Sequence, residues 1–122
     1  MKKSTWIIVG VILIIFVAWL IAAPAKPSKL DAFATCLGTQ GVKFYGAFWC
    51  PHCQAQKALF GPSAEKLPYI ECSTPDGSSQ NQTCNALGIT SYPTWIFPNG
   101  ARMVGVQTLD YLSATTSCAL PQ

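Results

Sequence analysis

At 122 residues the chain has room for one domain and one appended element, and its formal net charge of +3 comes from eight basic and five acidic residues. The excess is local. Lys2, Lys3, Lys26 and Lys29 flank an uncharged stretch, and from Leu30 onward Lys43, Lys57, Lys66 and Arg102 stand against Asp31, Glu65, Glu71, Asp76 and Asp110, a net charge of −1. That balance excludes nucleic-acid binding as the organising activity.

Ser4 to Ala25 carries no charge over 22 positions. As a helix this run spans about 33 Å, enough for a bilayer core of about 30 Å, and Trp6 and Trp19 stand near its ends, where indoles favour the interface. The rival reading is a cleaved signal peptide, with Met1-Lys2-Lys3 leading and Ala23-Pro24-Ala25 as the cleavage site. Signal cores run about 7–15 residues, and this one is longer, so residues 1–25 are read as an uncleaved single-pass anchor. Residues 26–29 form a linker and 30–122 the folded domain. Lysines on both flanks leave the orientation nearly tied by charge. All six cysteines follow the span, and disulfides persist outside the cytoplasm. The domain is therefore placed in the periplasm or at the cell exterior, where disulfides help a core of this size.

Ser28 is a candidate N-cap for a helix with Leu30, Phe33, Ala34 and Leu37 on one face, ended by Gly38. Val42 to Phe48 has little polar interruption and reads as a strand buried on both faces. A helix over Pro51 to Phe60 follows, closed by Gly61-Pro62, with a further turn over Ser63 to Leu67. Tyr69 to Cys72 is a short strand, Ser73 to Gln80 a loop, and Asn81 to Leu87 a short helix stopped by Gly88. Ser91-Tyr92-Pro93-Thr94 introduces a strand over Trp95 to Phe97. Pro98 to Ala101 is a hairpin turn, Arg102 to Val106 the return strand, and Thr108 caps a last helix running to Ser117. The order α-β-α-β-α-β-β-α is that of an α/β domain.

The chemistry concentrates in Cys50-Pro51-His52-Cys53, where the apolar strand meets a helix. A helix N-terminus offers unpaired N–H groups and the positive end of the macrodipole. A thiolate is the anion such a position favours, which makes Cys50 the expected nucleophile. Pro51 fits the first turn, where its missing N–H costs nothing. Cys53 lies one turn up the same face, placed to attack a mixed disulfide at Cys50. His52 is assigned to tuning that thiolate, and Lys57 is read as a solvated helix charge. No metal is expected: a zinc site wants a second Cys-x-x-Cys or paired His, and eleven residues separate Cys72 from Cys84. Haem attachment needs His where Gln54 stands. Cys72 and Cys84 bracket a polar loop and a short helix, so a structural disulfide there, worth about 3 kcal/mol, is the preferred reading over an electron-relaying pair.

This element order, with Cys-x-x-Cys at the first strand–helix junction and Tyr92-Pro93 before the hairpin, resembles the thioredoxin fold. The resemblance implies a central mixed sheet of about four strands flanked by helices, behind the N-terminal transmembrane helix. It also implies a cis Tyr92–Pro93 bond beside Cys50, a substrate-binding role for Trp49, Tyr92 and Pro93, and a redox-active disulfide as the only cofactor. Threading the fold brings Cys36 and Cys118 to the same pole, where they can bond. The runs Tyr45 to Cys53, Gln56-Lys57, Leu59 to Gly61, Tyr69 to Ser73 and Gly88 to Trp95 are more specifically similar to the thioredoxin-like domain fused to bacterial and plant vitamin K epoxide reductase homologues. That similarity implies protein thiols as substrates and a membrane quinone-linked reductase of vitamin K epoxide reductase or DsbB type as redox partner. With one span here, the partner must be a separate protein. Cys-Pro-His-Cys also matches DsbA-type oxidases. Thioredoxins carry a buried Asp where this chain has Phe44, and that departure favours oxidation.

The expectation is a membrane-tethered thiol–disulfide oxidoreductase that oxidises protein thiols through Cys50 and Cys53. Its rivals are an anchored reductase or isomerase fed by a transmembrane electron carrier, and a non-catalytic, disulfide-stapled binding domain.

Overall fold

A computed structural model describes residues 2–24 and 26–122. Met1 and Ala25, at the limits of the expected anchor and its rival cleavage site, lie outside the described residues. The first helix, α1 (Lys3–Ala22), has a mean hydropathy of 2.8 and buries none of its side chains. It is long and apolar enough to cross a membrane, a criterion that a signal sequence also meets.

Two faces of one sheet organise the rest. Strands β1 (Lys43–Gly46), β2 (Tyr69–Glu71), β3 (Thr94–Ile96) and β4 (Arg102–Val104) stand in the order β2-β1-β3-β4. β1 pairs parallel with β2 and antiparallel with β3, and β3 pairs antiparallel with β4. This is the central mixed sheet of about four strands that the resemblance implied. Successive β1 side chains point to opposite faces. Phe44 enters the larger core, stacked on Trp95 at 4.6 Å between ring centroids, and Tyr45 enters a smaller one with Cys72, Cys84 and Ile89. Helices α2 (Asp31–Thr39), α3 (Pro51–Phe60) and α5 (Leu109–Thr116) feed the larger core through Phe33, Leu37, Phe60 and Leu112. Helix α4 (Gln82–Ala86) feeds the smaller one through Cys84.

Local chemistry explains the ends of these elements. Asn81 and Thr108 cap α4 and α5, accepting from the N–H groups of Cys84 and Tyr111, as short polar side chains do at N-caps. Ser28 does not cap α2. Its own N–H donates to the Asp31 carboxylate at 3.0 Å, and Leu30 occupies the cap position. The first strand stops two residues short of Phe48. The Phe48 N–H leaves the ladder for the Glu71 carboxylate at 3.2 Å, and Phe48 is half-exposed rather than buried. β4 likewise ends before Val106, where Gly105 turns to φ +91° and donates to the Pro93 carbonyl.

Two disulfides lock the fold. Cys36–Cys118 ties α2 to the segment after α5 across a sequence separation of 82. Cys72–Cys84 closes the loop between β2 and α4, a separation of 12.

Candidate active site

The β1–α3 junction converges on the two remaining thiols. Cys50 is the N-cap of α3, its backbone still extended (φ −77°, ψ 120°), and Pro51 opens the first turn. Cys53 follows one turn on. Both are unbonded; Cys50 is 5% exposed and Cys53 1%. The Cys50 thiol points at the Tyr92 carbonyl oxygen, 3.9 Å away, where the cis Tyr92–Pro93 bond turns the chain toward β3. Pro93 is fully buried. With Cys36, Cys72, Cys84 and Cys118 consumed by their own disulfides, Cys50 and Cys53 form the exchangeable pair.

Gly46 makes room for Cys53. A Cβ at position 46 would lie 2.7 Å from Cys53 Sγ and 2.9 Å from Tyr69 Cε2, so the thiol and the edge of the tyrosine ring meet over a bare backbone. Burial pushes the Cys53 thiol up to about 12. The neighbouring Cys50 thiol acts in the same direction, and the Ala47 backbone and Lys57 oppose it. Desolvation dominates because Cys53 lies in the apolar core that also holds Phe44 and Trp95, where an ion loses its hydration.

Glu71 ties the surroundings together. Its carboxylate accepts from Tyr69 Oη at 2.7 Å, from Ser73 N–H at 2.8 Å and from Phe48 N–H. Burial, then this carboxylate, raises the Tyr69 phenol. Lys57 is not simply solvated. It lies one turn beyond Cys53, with Nζ 3.6 Å from the centroid of the Tyr69 ring.

The stapled loop 73–80 reaches Phe48, Trp49 and Tyr92, the neighbours of the thiols. Trp49, half-exposed, donates from Nε1 to Ser73 Oγ at 3.0 Å and meets the Tyr92 ring edge-on at 5.9 Å. Gly77 sits against Phe48 and Trp49 with φ +73°, a conformation open to glycine. Tyr92 Oη bonds Gln80 Oε1, and Gln80 in turn donates to Asn85 and to the Ile89 carbonyl. Trp49, Cys50, Cys53, Tyr92 and Pro93 are thus brought together. His52 is exposed on the first turn of α3, and Pro51 beside it is exposed as well.

Four contributors escaped sequence reasoning: Gly46, Glu71, Gln80 and Gln56. Gln56 is wholly buried. Its Oε1 accepts from Gln107 N–H at 2.7 Å and from Trp95 Nε1 at 3.2 Å, and its Nε2 donates to the Gln107 carbonyl at 3.0 Å. It ties α3 to the segment that follows Gly105, the residue bonded to Pro93. A glycine inside an apolar strand signals a close approach, and a Gln three residues after Cys53 falls on the same helix face. Those were the available clues.

Comparison with known proteins gives three results. The family model described as Thioredoxin matches residues 38–117. The thiol-disulfide oxidoreductase LTO1 of Arabidopsis thaliana is 41% identical over 107 residues, covering 84% of this chain and 28% of LTO1. The chain thus spans a little over a quarter of that relative. The crystal structure of the Malassezia sympodialis thioredoxin Mala s 13 superposes with a TM-score of 0.45 at 19% identity, covering 80% of this chain and 97% of the other.

Proposed function

The chain belongs to the thioredoxin family, and from that premise we propose that it is a membrane-tethered, extracytoplasmic thiol–disulfide oxidoreductase that oxidises protein thiols. The observation that carries this reading is the free dithiol at the start of α3, with Cys50 held under the Tyr92 carbonyl and Cys53 buried behind it. The Arabidopsis relative's being a thiol-disulfide oxidoreductase supports the same chemistry.

In the proposed cycle the resting enzyme holds a Cys50–Cys53 disulfide. A substrate thiolate attacks Cys50 Sγ, which forms a mixed disulfide and releases Cys53. A second substrate thiolate then attacks the substrate sulfur of that mixed disulfide, so the substrate leaves with a disulfide and the enzyme with two thiols. Two electrons pass from substrate to enzyme, and the substrate's two protons end on Cys50 and Cys53. A membrane quinone-linked reductase of vitamin K epoxide reductase or DsbB type restores the disulfide. The Tyr92-Pro93 loop and Trp49 hold the substrate backbone, and His52 and Pro51 set the first turn around the nucleophile. Phe44, offering no carboxylate beside Cys53, supports the oxidising direction, and α1 supports the tether. The exchange itself needs only the redox-active disulfide.

The test is the reduction potential of the pair, measured with the rate at which Cys50 reacts with iodoacetamide. A potential more positive than about −220 mV supports the oxidase, and one near −270 mV reverses the direction of flow. A pair that neither reacts nor exchanges leaves only a binding domain. A Cys53→Ala variant should trap substrate and recycling partner as mixed disulfides at Cys50.

A further inference from the structure

Turnover needs Cys53 as an anion. When the reduced enzyme attacks a disulfide, Cys50 forms the mixed disulfide, and Cys53 must then attack Cys50 Sγ and expel the second thiolate. Cys53 is buried in the larger core, whose Phe44 and Trp95 rings stack on each other and supply no charge. The groups that face it are few. Helix α3 contributes Cys50 and Lys57, the turn before it contributes the Ala47 amide, β2 contributes Tyr69 and Glu71, and the loop before β3 contributes Tyr92. Among these Lys57 is the one cation.

Lys57 is also held in place. It stands four positions after Cys53, so both lie on one helix face, and its ammonium sits on the Tyr69 ring. That ring is wedged between Phe44, 5.1 Å away edge to face, and the space over Gly46 that Cys53 Sγ also fills. Its hydroxyl is pinned by Glu71. A lysine at an ordinary helix surface would spread its charge over many rotamers; this one is fixed by a cation–π contact.

We propose that Lys57 is a positioning residue for the resolving step: held on the Tyr69 ring that Glu71 pins, its charge stabilises the Cys53 thiolate as it attacks Cys50. Glu71 and Tyr69 act through it, by fixing the ring. The step balances as protein dithiol plus one disulfide giving protein disulfide plus two thiols, with the protons of Cys50 and Cys53 ending on the two products. This role rests on the exchange function proposed above and goes beyond it by naming what lets the buried thiol react.

The experiment uses the full chain in detergent, reduced and mixed with glutathione disulfide. Acid-quenched samples from about pH 6 to 10 are resolved by mass into the Cys50–glutathione adduct and the Cys50–Cys53 disulfide, which isolates the second step. In Lys57→Met the rate of that step, which rises with pH throughout this range because the Cys53 thiol is pushed above it, should fall about threefold at every pH, a displacement of the profile by about half a pH unit and less than an opposite charge in direct contact gives. Lys57→Arg, which keeps charge and stacking, should restore the profile. A Lys57→Met profile that superimposes on an active wild type overturns the role of Lys57 alone, as does a Lys57→Arg variant that matches Lys57→Met. A wild-type chain that never forms the Cys50–Cys53 disulfide overturns both this role and the exchange function.

Discussion

Gly46→Ala tests how tightly the resolving thiol is packed. The added methyl would lie 2.7 Å from Cys53 Sγ, 2.9 Å from Tyr69 Cε2 and 3.4 Å from Cys53 Cβ, where contact distances run about 3.5–4.0 Å. Something must move by roughly 1 Å. Cys53 cannot move alone, because its backbone is inside α3 and Gln56, three residues on, anchors that helix to Gln107 and Trp95. Tyr69 is held by Glu71, Phe44 and Lys57. Overpacking of this kind costs about 1–3 kcal/mol. The stiffer unfolded chain returns about 0.5 kcal/mol, for a net loss of about 0.5–2.5 kcal/mol, about 1–2 kcal/mol in its middle range. At about 4–8 °C per kcal/mol for a domain of this size, the melting temperature of the reduced protein should fall by roughly 5–15 °C. A thiol displaced by 1 Å also loses up to about 100-fold in an oriented reaction, so oxidation by glutathione disulfide should slow by at least tenfold. Circular dichroism melts and a stopped assay of disulfide formation read both effects. A variant that melts within about 2 °C of wild type, a loss of no more than about 0.5 kcal/mol, and exchanges at its rate would refute the close approach of Gly46, Cys53 and Tyr69.

Other perturbations separate the remaining supports. Gln56→Leu keeps the volume of a wholly buried side chain but leaves Trp95 Nε1, Gln107 N–H and the Gln107 carbonyl unpaired; urea unfolding should show a loss of about 2–5 kcal/mol, and a loss below about 1 kcal/mol would discount the hub. Replacing Cys36 and Cys118 by Ala opens the longer loop, worth about 4–5 kcal/mol, against about 3 kcal/mol for Cys72 and Cys84. Exchange should follow the reverse order, because the 72–84 staple carries Ser73 and Gln80, which hold Trp49 and Tyr92; equal exchange rates in the two double variants would contradict that link. The pH dependence has a definite sign. The Cys53 thiol is pushed by burial from an ordinary value near 9 up to about 12. Between those values the unfolded chain gives up a proton that the folded chain keeps, so stability falls as pH rises. The raised Tyr69 phenol adds to the same trend. Urea midpoints of the reduced protein should drop from about pH 8.5 to 11, less steeply in Cys53→Ala, and flat midpoints would count against burial as the cause.

What was legible in the sequence is what neighbours in the chain determine. The strand–helix junction, Pro51 in the first turn, the Asn81 and Thr108 positions at helix starts and the hairpin after Phe97 all rest on local propensity and periodicity. The mixed sheet of about four strands followed from the resemblance to the thioredoxin fold that the element order and motifs carried. Ser28 misled because its N–H found Asp31, three residues on, and Val42 to Phe48 read as one long strand because nothing local announces that Glu71 will draw Phe48 out of the ladder. Glu71 lies 23 residues from Phe48, and Gln56 lies 51 from Gln107 and 39 from Trp95. Polar partners at such separations leave no periodic trace, so the network behind the thiols became visible only with the chain folded.

That network gives the substitution at position 44 a kinetic meaning. With Phe44 stacked on Trp95, the floor of the core that holds Cys53 is apolar, and burial pushes the Cys53 thiol up to about 12. In the oxidising cycle proposed above, the substrate's attack on Cys50 releases Cys53, and Cys53 can undo the step by attacking Cys50 again. A thiolate is required for that reversal, and at pH 7 a thiol pushed up to about 12 supplies it rarely. In that proposed cycle a slow reversal gives the substrate's second thiol time to reach the mixed disulfide, which would favour net oxidation over escape. The same apolar floor slows the recycling half of the cycle, where Cys53 must attack to close its own disulfide. Lys57 on the Tyr69 ring answers that second demand without filling the core with charge. A carboxylate at position 44, in Phe44→Asp, should shorten the lifetime of the Cys50–substrate adduct and raise the yield of unreacted substrate thiol in single-turnover assays. A longer-lived adduct in that variant would show that burial of Cys53 does not govern escape.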